Sequence, residues 1–434
     1  MQKGPPWTTV LLAAAALVLA LVLLGRLAVE TTAPPSRPDE RPRPATVHQA
    51  TGAVPASRGP DLRQPAPPSV FDELLRRILD LARTPGAAPD ELLLSFATPG
   101  ELEAFRARAA RAGIELLPVD PRLLTARVRV GDGRALASEL AGGGFDRIGP
   151  NYLAWVPALP RLPEPDADNA GGNQPFGTSG LEAVGAGRNR SDWGRGVTVA
   201  VLDTGVTDHP QLEQLRLSRT DLVQDGQPLN GHGTAMASLI AGSDPEEGGV
   251  APAAHLLDIR VADAKGESTT ALVAQGILTA VDQGARVINI SLGTTADAPV
   301  LRRAVDYALA RGVVIVAAAG NDQARALAYP AAYAGVVSVA AVDANGVQAF
   351  FSNSGSGLAL AAPGVGIVSA YSNNQRVISS GTSQAAAITS GVVATMLGWG
   401  YSGQGMIKTL AAQAKPTGAP AEQTGAGLVQ VPRR

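Results

Sequence analysis

From residue 197 onward, short apolar runs of strand length alternate with segments of helical pattern. The first run is apolar until it ends in Asp203, which is typical of a parallel strand buried on both faces. This alternation predicts a doubly wound α/β fold with a mostly parallel sheet. The predicted elements are strands 197–203, 254–261, 286–291, 313–319 and 335–342, and helices 233–242, 269–283, 298–311 and 384–397.

Four polar residues stand at the ends of these elements. Asp203 ends the first strand, and Asn321 follows the strand 313–319. His232 immediately precedes one predicted helix, and Ser383 immediately precedes another. Because ligands of such sheets bind at the carboxyl ends of strands, these ends are the expected place of a site.

The four residue types suit acyl transfer. A serine hydroxyl is a poor nucleophile until an imidazole takes its proton, and the imidazole needs a carboxylate that fixes its tautomer. An amide at a loop end can donate a hydrogen bond to a developing oxyanion. His232 lies between two glycines, where it packs poorly as a core residue. The other histidines, His48, His209 and His255, are interpreted as structural or as lying in a Pro-rich stretch.

Three motifs around these residues carry a family resemblance. They read VAVLDTG from Val199, NGHGT from Asn230 and SGTSQA from Ser380, and an apolar run leads to Gly320 and Asn321. In this order they resemble the subtilisin-like serine proteases, the subtilases, over roughly residues 177–412. The resemblance implies a serine endopeptidase made as a zymogen, which cuts protein or peptide substrates through an acyl-enzyme.

The resemblance also implies a role for each residue. Asp203 orients the imidazole, His232 is the general base and acid, and Ser383 is the nucleophile. Asn321 and the backbone N–H of Ser383 donate to the oxyanion.

Two further segments are similar to those that bind the peptide in subtilases. They would hold an extended substrate between them as an added strand. Their residues are Ser291, Leu292 and Gly293 on one side and Gly266, Glu267 and Ser268 on the other. An ordinary loop is the alternative interpretation of the second segment.

The chain departs from the family at three positions on the nucleophile helix. Gln384 stands where the family usually has Met, Ala387 where it has Pro, and Ile388 where it has His. The triad survives these changes. Two alternatives stay open beside the protease: a catalytically idle relative that binds peptides, and a peptide ligase that transfers the acyl group.

No metal or other cofactor is predicted. The loop 242–249 is shorter than the calcium loop that secreted bacterial subtilisins carry there. Its acids Asp244, Glu246 and Glu247 are interpreted as a solvated acidic turn, with a calcium site as the alternative. The net charge of −2 indicates no nucleic-acid partner, and the absence of cysteine excludes disulfides and thiolate metal sites.

Residues 69–157 are predicted to form a small α+β domain. Helices start at the caps Ser69 and Thr98, and the order β-α-β-β-α-β after the first helix indicates a split βαβ, ferredoxin-like sandwich. In this position the domain is similar to the inhibitory prodomain of subtilases. A generic binding domain is the alternative.

The remaining segments are assigned from composition. Residues 1–30 contain the apolar stretch 8–24, interpreted as an uncleaved signal anchor or a removed signal peptide, so that the protein is anchored facing outside the cytoplasm or secreted. Residues 31–68 are a Pro-rich linker. Residues 158–176 are a joint for processing, 177–415 the catalytic domain and 416–434 a C-terminal tail.

Overall fold

The computed structural model describes residues 69–157, 172–187 and 189–433. The predicted membrane segment 8–24, the linker 31–68 and most of the joint 158–176 lie outside the described residues. Among the helices that are described, none is both long and apolar enough to cross a bilayer.

The first domain has three helices and four strands. Ser69 and Thr98 each form a capping box with the residue three positions on, as the sequence predicts. The helices are α1 (Val70–Ala82), α2 (Pro99–Arg111) and α3 (Arg134–Leu140). The strands are β1 (Ala87–Ser95), β2 (Glu115–Leu117), β3 (Thr125–Arg129) and β4 (Arg147–Trp155).

The sheet of this domain is antiparallel in the order β2-β3-β1-β4. Successive residues of β1 face opposite sides, since strand side chains alternate. Leu92 and Leu94 join a core with all three helices, whereas Leu93 faces away from it. The helices therefore cover only one face of the sheet.

The second domain begins at Gly172, after the gap in the described residues. Its helices are α4 (Gly180–Ala183), α5 (His232–Ala241), α6 (Thr270–Asp282), α7 (Pro299–Leu309), α8 (Thr382–Gly398), α9 (Gly403–Gln413) and α10 (Ala421–Thr424). Its strands are β5 (Thr198–Asp203), β6 (Leu217–Asp221), β7 (His255–Arg260), β8 (Glu267–Thr269), β9 (Val287–Ile290), β10 (Val314–Ala318), β11 (Val337–Val342), β12 (Leu360–Pro363), β13 (Ile367–Ala370) and β14 (Arg376–Ser379). One-turn 3₁₀ helices span Pro121–Leu123 and Pro210–Leu212.

Seven of these strands form a parallel sheet in the order β12-β11-β10-β9-β5-β7-β6. The predicted doubly wound architecture is thus confirmed. The chain order reverses direction between β5 and β9, and this switch point is where such sheets bind ligands. The sequence analysis missed the edge strands β6 and β12 and the hairpin β13–β14, because they are short and lack a long apolar run.

Each face of this sheet has its own core. Helices α5 and α8 pack on one face, and their apolar residues share a cluster with alternate strand residues such as Val199 and Val201. Helices α6 and α7 cover the other face, with Ala200 and Leu202. Helix α8 is buried along nearly its whole length, and it accordingly carries no charged residue.

The first domain docks on the face that α6 and α7 cover. Leu93 and Ala154 of its sheet enter the same apolar cluster as these helices. Asn151 accepts hydrogen bonds from the Thr270 hydroxyl at 3.1 Å and the Ala271 N–H at 3.2 Å, at the start of α6. The helices of the first domain leave one face of its sheet uncovered, and the second domain buries that face.

Polar contacts fix the rest of this interface. The Arg303 guanidinium on α7 donates to the carbonyls of Leu123 and Leu124 at 2.9 and 2.8 Å. The Arg122 guanidinium donates to the carboxylate of Asp282 at 2.7 and 2.8 Å and to the Tyr307 hydroxyl at 2.9 Å.

Candidate active site

Asp203 and His232 form a buried pair at the switch point. Asp203 is the last residue of β5 and is fully buried, and His232 is the first residue of α5. The imidazole Nδ1 lies 2.8 Å from Asp203 Oδ1 and 3.0 Å from Oδ2. The backbone N–H of Thr204 also donates to Oδ1 at 2.8 Å. The carboxylate thus holds Nδ1 and leaves Nε2 for chemistry.

The glycines beside His232 are required by close approach. A β-carbon on Gly233 would lie 2.5 Å from the carbonyl oxygen of Gly205, and one on Gly231 would lie 2.6 Å from the Tyr371 ring. The side chain of Asn230 accepts the His232 N–H at 2.9 Å. The position of the imidazole therefore depends on the neighbouring residues of the motif NGHGT as well as on His232 itself.

Ser383 is the second residue of α8 and is buried. Its hydroxyl donates to the carbonyl oxygen of Ser291 at 3.2 Å. No hydrogen bond joins Ser383 to His232 in the part of the chain that is described. The helices that carry the two residues, α5 and α8, pack against each other.

Asn321 lies beside the nucleophile with its amide oriented by Thr382. Asn321 Oδ1 accepts from the Thr382 N–H at 3.0 Å and from the Thr382 hydroxyl at 2.8 Å. Its Nδ2 lies 3.2 Å from the place where a β-carbon of Gly381 would stand. With Oδ1 occupied, Nδ2 is the group that can donate to an oxyanion next to Ser383. The sequence analysis assigned no role to Thr382, although it lies inside the SGTSQA motif.

A buried network of polar side chains connects the end of β9, at Asn289 and Ser291, with helix α8. The Asn289 side chain donates to the Ser291 hydroxyl at 3.0 Å and accepts from the Ser390 hydroxyl of α8 at 3.0 Å. These side chains are fully buried. Asn289 was missed as a positioning residue, and its signal is a single amide within the apolar run of β9.

Gln384, in the place of the family's methionine, lies buried at the start of α8. Its Nε2 donates to the Ser379 hydroxyl at 2.8 Å, and the side chain is buried. Ala387 and Ile388, the other two departures, are both buried in the core beneath α8. The helix continues without a break from Thr382 to Gly398.

The two predicted binding segments hold a peptide strand, and this strand is the end of β4. Trp155 and Gly293 exchange both backbone hydrogen bonds, at 2.9 and 3.0 Å. On the other side, the Val156 N–H donates to the Gly266 carbonyl at 2.9 Å, and Ala154 is paired with Ser268. The end of the first domain therefore lies as a strand between the two segments that the sequence analysis predicted to bind peptide. Glu267 lies within β8 and is paired with Trp155.

A cavity of about 160 Å³ opens where this strand ends. Its lining is mostly small and apolar, with Asp322 as its one charged residue. The lining residues are Trp155, Pro157, Leu292, Gly293, Thr294, Thr295, Ala318, Gly320, Asp322 and Ala328.

The acidic loop is organised by a guanidinium. Arg190 is buried, and it donates to the carbonyls of Asp244 at 2.9 Å, Pro245 at 2.8 Å and Gly249 at 2.7 Å. Asp244 accepts the backbone N–H groups of Glu246 and Glu247. The described residues contain no group of three or more acids or histidines that could hold a metal ion.

A buried carboxylate lies close to Asp203 on the neighbouring strand. Asp258 on β7 is paired with Val201, and its Oδ2 accepts the Val206 N–H at 2.9 Å. Burial raises the pKa of Asp258 to about 7, and the Asp203 charge adds to this, against the lowering effects of the Val206 N–H and Arg219. Asp258 thereby holds the loop that follows Asp203, a role that the sequence analysis did not assign.

Comparison with known proteins places these observations in a family. The sequence model of the subtilase family matches residues 194–427. The chain is 42% identical over 226 residues to a thermostable alkaline protease of Halalkalibacterium halodurans and 40% identical over 227 residues to subtilisin Savinase of Lederbergia lenta. Each match covers 51% of this chain, with 62% of the alkaline protease and 82% of Savinase.

Among solved structures, the chain resembles fervidolysin from Fervidobacterium pennivorans, described as a keratinolytic enzyme related to subtilisin. The TM-score is 0.67 and the sequence identity 26%, over 80% of this chain and 61% of fervidolysin. The chain thus spans less than two thirds of the alkaline protease and of fervidolysin, and the structural likeness extends over more of it than the sequence matches do.

Proposed function

Because the chain belongs to the subtilase family, we propose that it is a serine endopeptidase made as a zymogen. Its catalytic triad is Asp203, His232 and Ser383. Asn321 Nδ2 and the backbone N–H of Ser383 bind the oxyanion. The observation that carries the proposal is the peptide strand in the cleft, which is hydrogen-bonded to both Gly266 and Gly293 beside these residues.

The proposed mechanism uses the geometry of the buried pair. His232 Nε2 takes the hydroxyl proton of Ser383 as Oγ attacks the substrate carbonyl, and Asp203 stabilises the imidazolium through Nδ1. Asn321 then donates to the negative oxygen. The imidazolium gives its proton to the leaving amine, and a water molecule activated by His232 releases the acyl group from Ser383.

Substrates bind, on this proposal, as extended protein or peptide chains. The support is the antiparallel pairing of β4 with β8 and with Gly293, in which backbone groups of both segments bond to a strand between them. Backbone hydrogen bonds give affinity for many sequences, and side-chain pockets add preference. The mostly apolar cavity beside Gly293 and Gly320 favours an uncharged side chain next to the bond that is cut.

We further propose that residues 69–157 are an inhibitory prodomain. The support is their separate apolar core and their placement, since β4 continues directly into the cleft. The joint 158–176 is then the place of processing, and the segment 8–24 directs export to a membrane-anchored or secreted form. N-terminal sequencing of the mature protein tests both assignments together.

The central test is Ser383→Ala in the full chain. Without the hydroxyl no acyl-enzyme forms, so we expect loss of peptide hydrolysis and of labelling by a fluorophosphonate. Thr389→Ala, on the same helix but turned to its own helix carbonyl, is the matched control and should keep both activities. Labelling of the Ser383→Ala protein at another serine would contradict the assignment.

The same assay separates the alternatives. An idle peptide-binding relative would show neither hydrolysis nor labelling in the unmodified chain. A ligase would be labelled but would give the aminolysis product when an amine nucleophile is added with the peptide.

A further inference from the structure

We propose that Pro157 is a brake on self-processing, because it ends the inhibitory strand without offering a backbone N–H to Ser291. The Ser383 hydroxyl donates to that carbonyl instead, and among the described residues it makes no hydrogen bond to His232. This inference concerns the regulation of the catalytic site and rests on the proposed function.

The register of the strand places Pro157 opposite Ser291. Trp155 and Gly293 exchange both backbone hydrogen bonds. In an antiparallel ladder the next pair that exchanges bonds is two residues further along each strand. Counting forward from Trp155 and backward from Gly293 gives Pro157 and Ser291. Val156, between the bonded positions, points its N–H to Gly266 on the other side, as this alternation requires.

Proline cannot make the bond that this register calls for. It has no backbone N–H, so the carbonyl of Ser291 receives nothing from the strand. That carbonyl accepts the Ser383 hydroxyl at 3.2 Å. A hydroxyl has one proton to donate. While it is donated to Ser291, it is not available to His232, in agreement with the absence of a Ser383–His232 bond among the described residues.

Pro157 nevertheless lies in the position of a substrate residue. It lines the same cavity as Gly293 and Gly320, next to Asn321. The strand is thus held in the orientation of a substrate while the nucleophile is engaged elsewhere. An inhibitory segment that binds well and is cut slowly needs this combination.

An N–H at position 157 would release the brake. Ser291 would accept it, and sharing the carbonyl oxygen between two donors would weaken its bond to the Ser383 hydroxyl, which would then turn to His232 Nε2. Oγ would then attack the carbonyl of residue 157, and the proton taken by His232 would pass to the amine of Ala158 as the bond breaks. Water would release the acyl group, so that the elements of water are added across the bond between residues 157 and 158.

The test compares full-length chains that differ only at this position, made by cell-free translation without other proteases. Pro157→Ala introduces the N–H, and N-methylalanine at position 157 removes it again without restoring the ring. Pro157→Gly is a second variant with the N–H. Pro89→Ala replaces an exposed proline of the same domain and is the control.

Weakening the single hydrogen bond that holds the Ser383 hydroxyl on Ser291 should raise the rate of self-cleavage by about 5- to 100-fold. We expect the Ala and Gly variants to be cut after residue 157 faster than the unmodified chain by this factor, as followed by mass spectrometry. The N-methylalanine chain and Pro89→Ala should be cut there at the unmodified rate.

Two results would overturn the brake alone. One is that Pro157→Ala and Pro157→Gly are cut at or below the unmodified rate, although the mature enzyme hydrolyses an added peptide. The other is that the N-methylalanine chain is cut as fast as Pro157→Ala, which would assign the effect to the ring. A third result would reject the proposed function, and the brake with it. In that case neither the unmodified chain nor any variant cuts itself or an added peptide.

Discussion

The two larger sheets among the described residues are completed in different ways. The parallel sheet of the second domain has helices of its own on both faces, α5 and α8 on one and α6 and α7 on the other. The antiparallel sheet of the first domain has its own helices on one face only. Its other face is buried by α6 and α7 of the second domain.

This difference indicates how each domain is stabilised. The second domain buries the apolar residues of its central strands under its own helices. The first domain leaves residues such as Leu93 and Ala154 to be covered by its neighbour, so part of its stability comes from docking. If residues 69–157 are the inhibitory prodomain that we propose, this dependence predicts that they lose stability when they are separated from the second domain.

The largest effect is expected from a substitution in the second domain, where we place all of the catalytic residues. Asn321→Ala should lower turnover by roughly 10²- to 10³-fold, the loss that removal of such a donor causes in subtilisin itself, from which we adopt the range. Peptide hydrolysis by the mature enzyme measures it. The melting temperature should also fall, because the buried Thr382 N–H and hydroxyl lose the Asn321 oxygen that accepts them. An unchanged turnover would make Asn321 a structural residue.

The next effect concerns a charge inside the second domain. The pKa of Asp258 is raised to about 7, so the folded protein holds this proton more tightly than the unfolded chain does. Stability is therefore lost as pH rises from about 4 to about 7, the interval between the unfolded and folded values. Asp258→Asn removes this loss and still accepts the Val206 N–H.

We expect Asp258→Asn to be more stable than its parent by roughly 1–4 kcal/mol at pH 8 and to show no such gain at pH 4. Thermal unfolding in a Ser383→Ala background measures this without self-digestion. Asp244→Asn, in the acidic loop at the surface, is the control and should show no comparable dependence on pH. An equal gain at both pH values would mean that burial of the charge is not the cause.

The smallest effect tests the shared interface. Asn151→Ala removes the acceptor for Thr270 and Ala271 at the start of α6. Leaving these donors without their partner should weaken inhibition of the mature enzyme by added residues 69–157 about 10-fold. The inhibition constant measures it.

Arg129→Ala is the matched control for this interface. It breaks an exposed ion pair with Glu115 near the edge of the same sheet that is farther from β4, and it should leave the inhibition constant unchanged. Equal loss in both variants would show that the first domain is merely destabilised. No inhibition by the unmodified domain would reject its assignment as a prodomain.

Much of the architecture could be predicted because it depends on local patterns. The continuous apolar run before Asp203 predicts a central parallel strand, and the caps at Ser69 and Thr98 predict helix starts. The edge strands β6 and β12 were missed, since β6 is mostly polar and β12 is only four residues long. Their pairing comes from neighbours that are distant in sequence.

The residues of the candidate site were likewise chosen from local patterns in the sequence. Asp203, His232, Ser383 and Asn321 are each named by a short motif, and the two binding segments by their place after β9 and before α6. Thr382, Asn289 and Asp258 were not assigned, because their roles depend on partners that lie far away in the sequence. A single polar residue inside an apolar run is the only signal that Asn289 and Asp258 leave.

The sequence by itself determined the fold class, the order of the chemical groups and the family, since short motifs and strand periodicity carry that information. Only the tertiary structure decided what those groups touch. It placed the end of β4 in the cleft, Arg190 among the carbonyls of the acidic loop, and the Ser383 hydroxyl on Ser291. The reason is physical: a hydrogen bond depends on distance and direction in space, and the sequence specifies these only after the whole chain has packed.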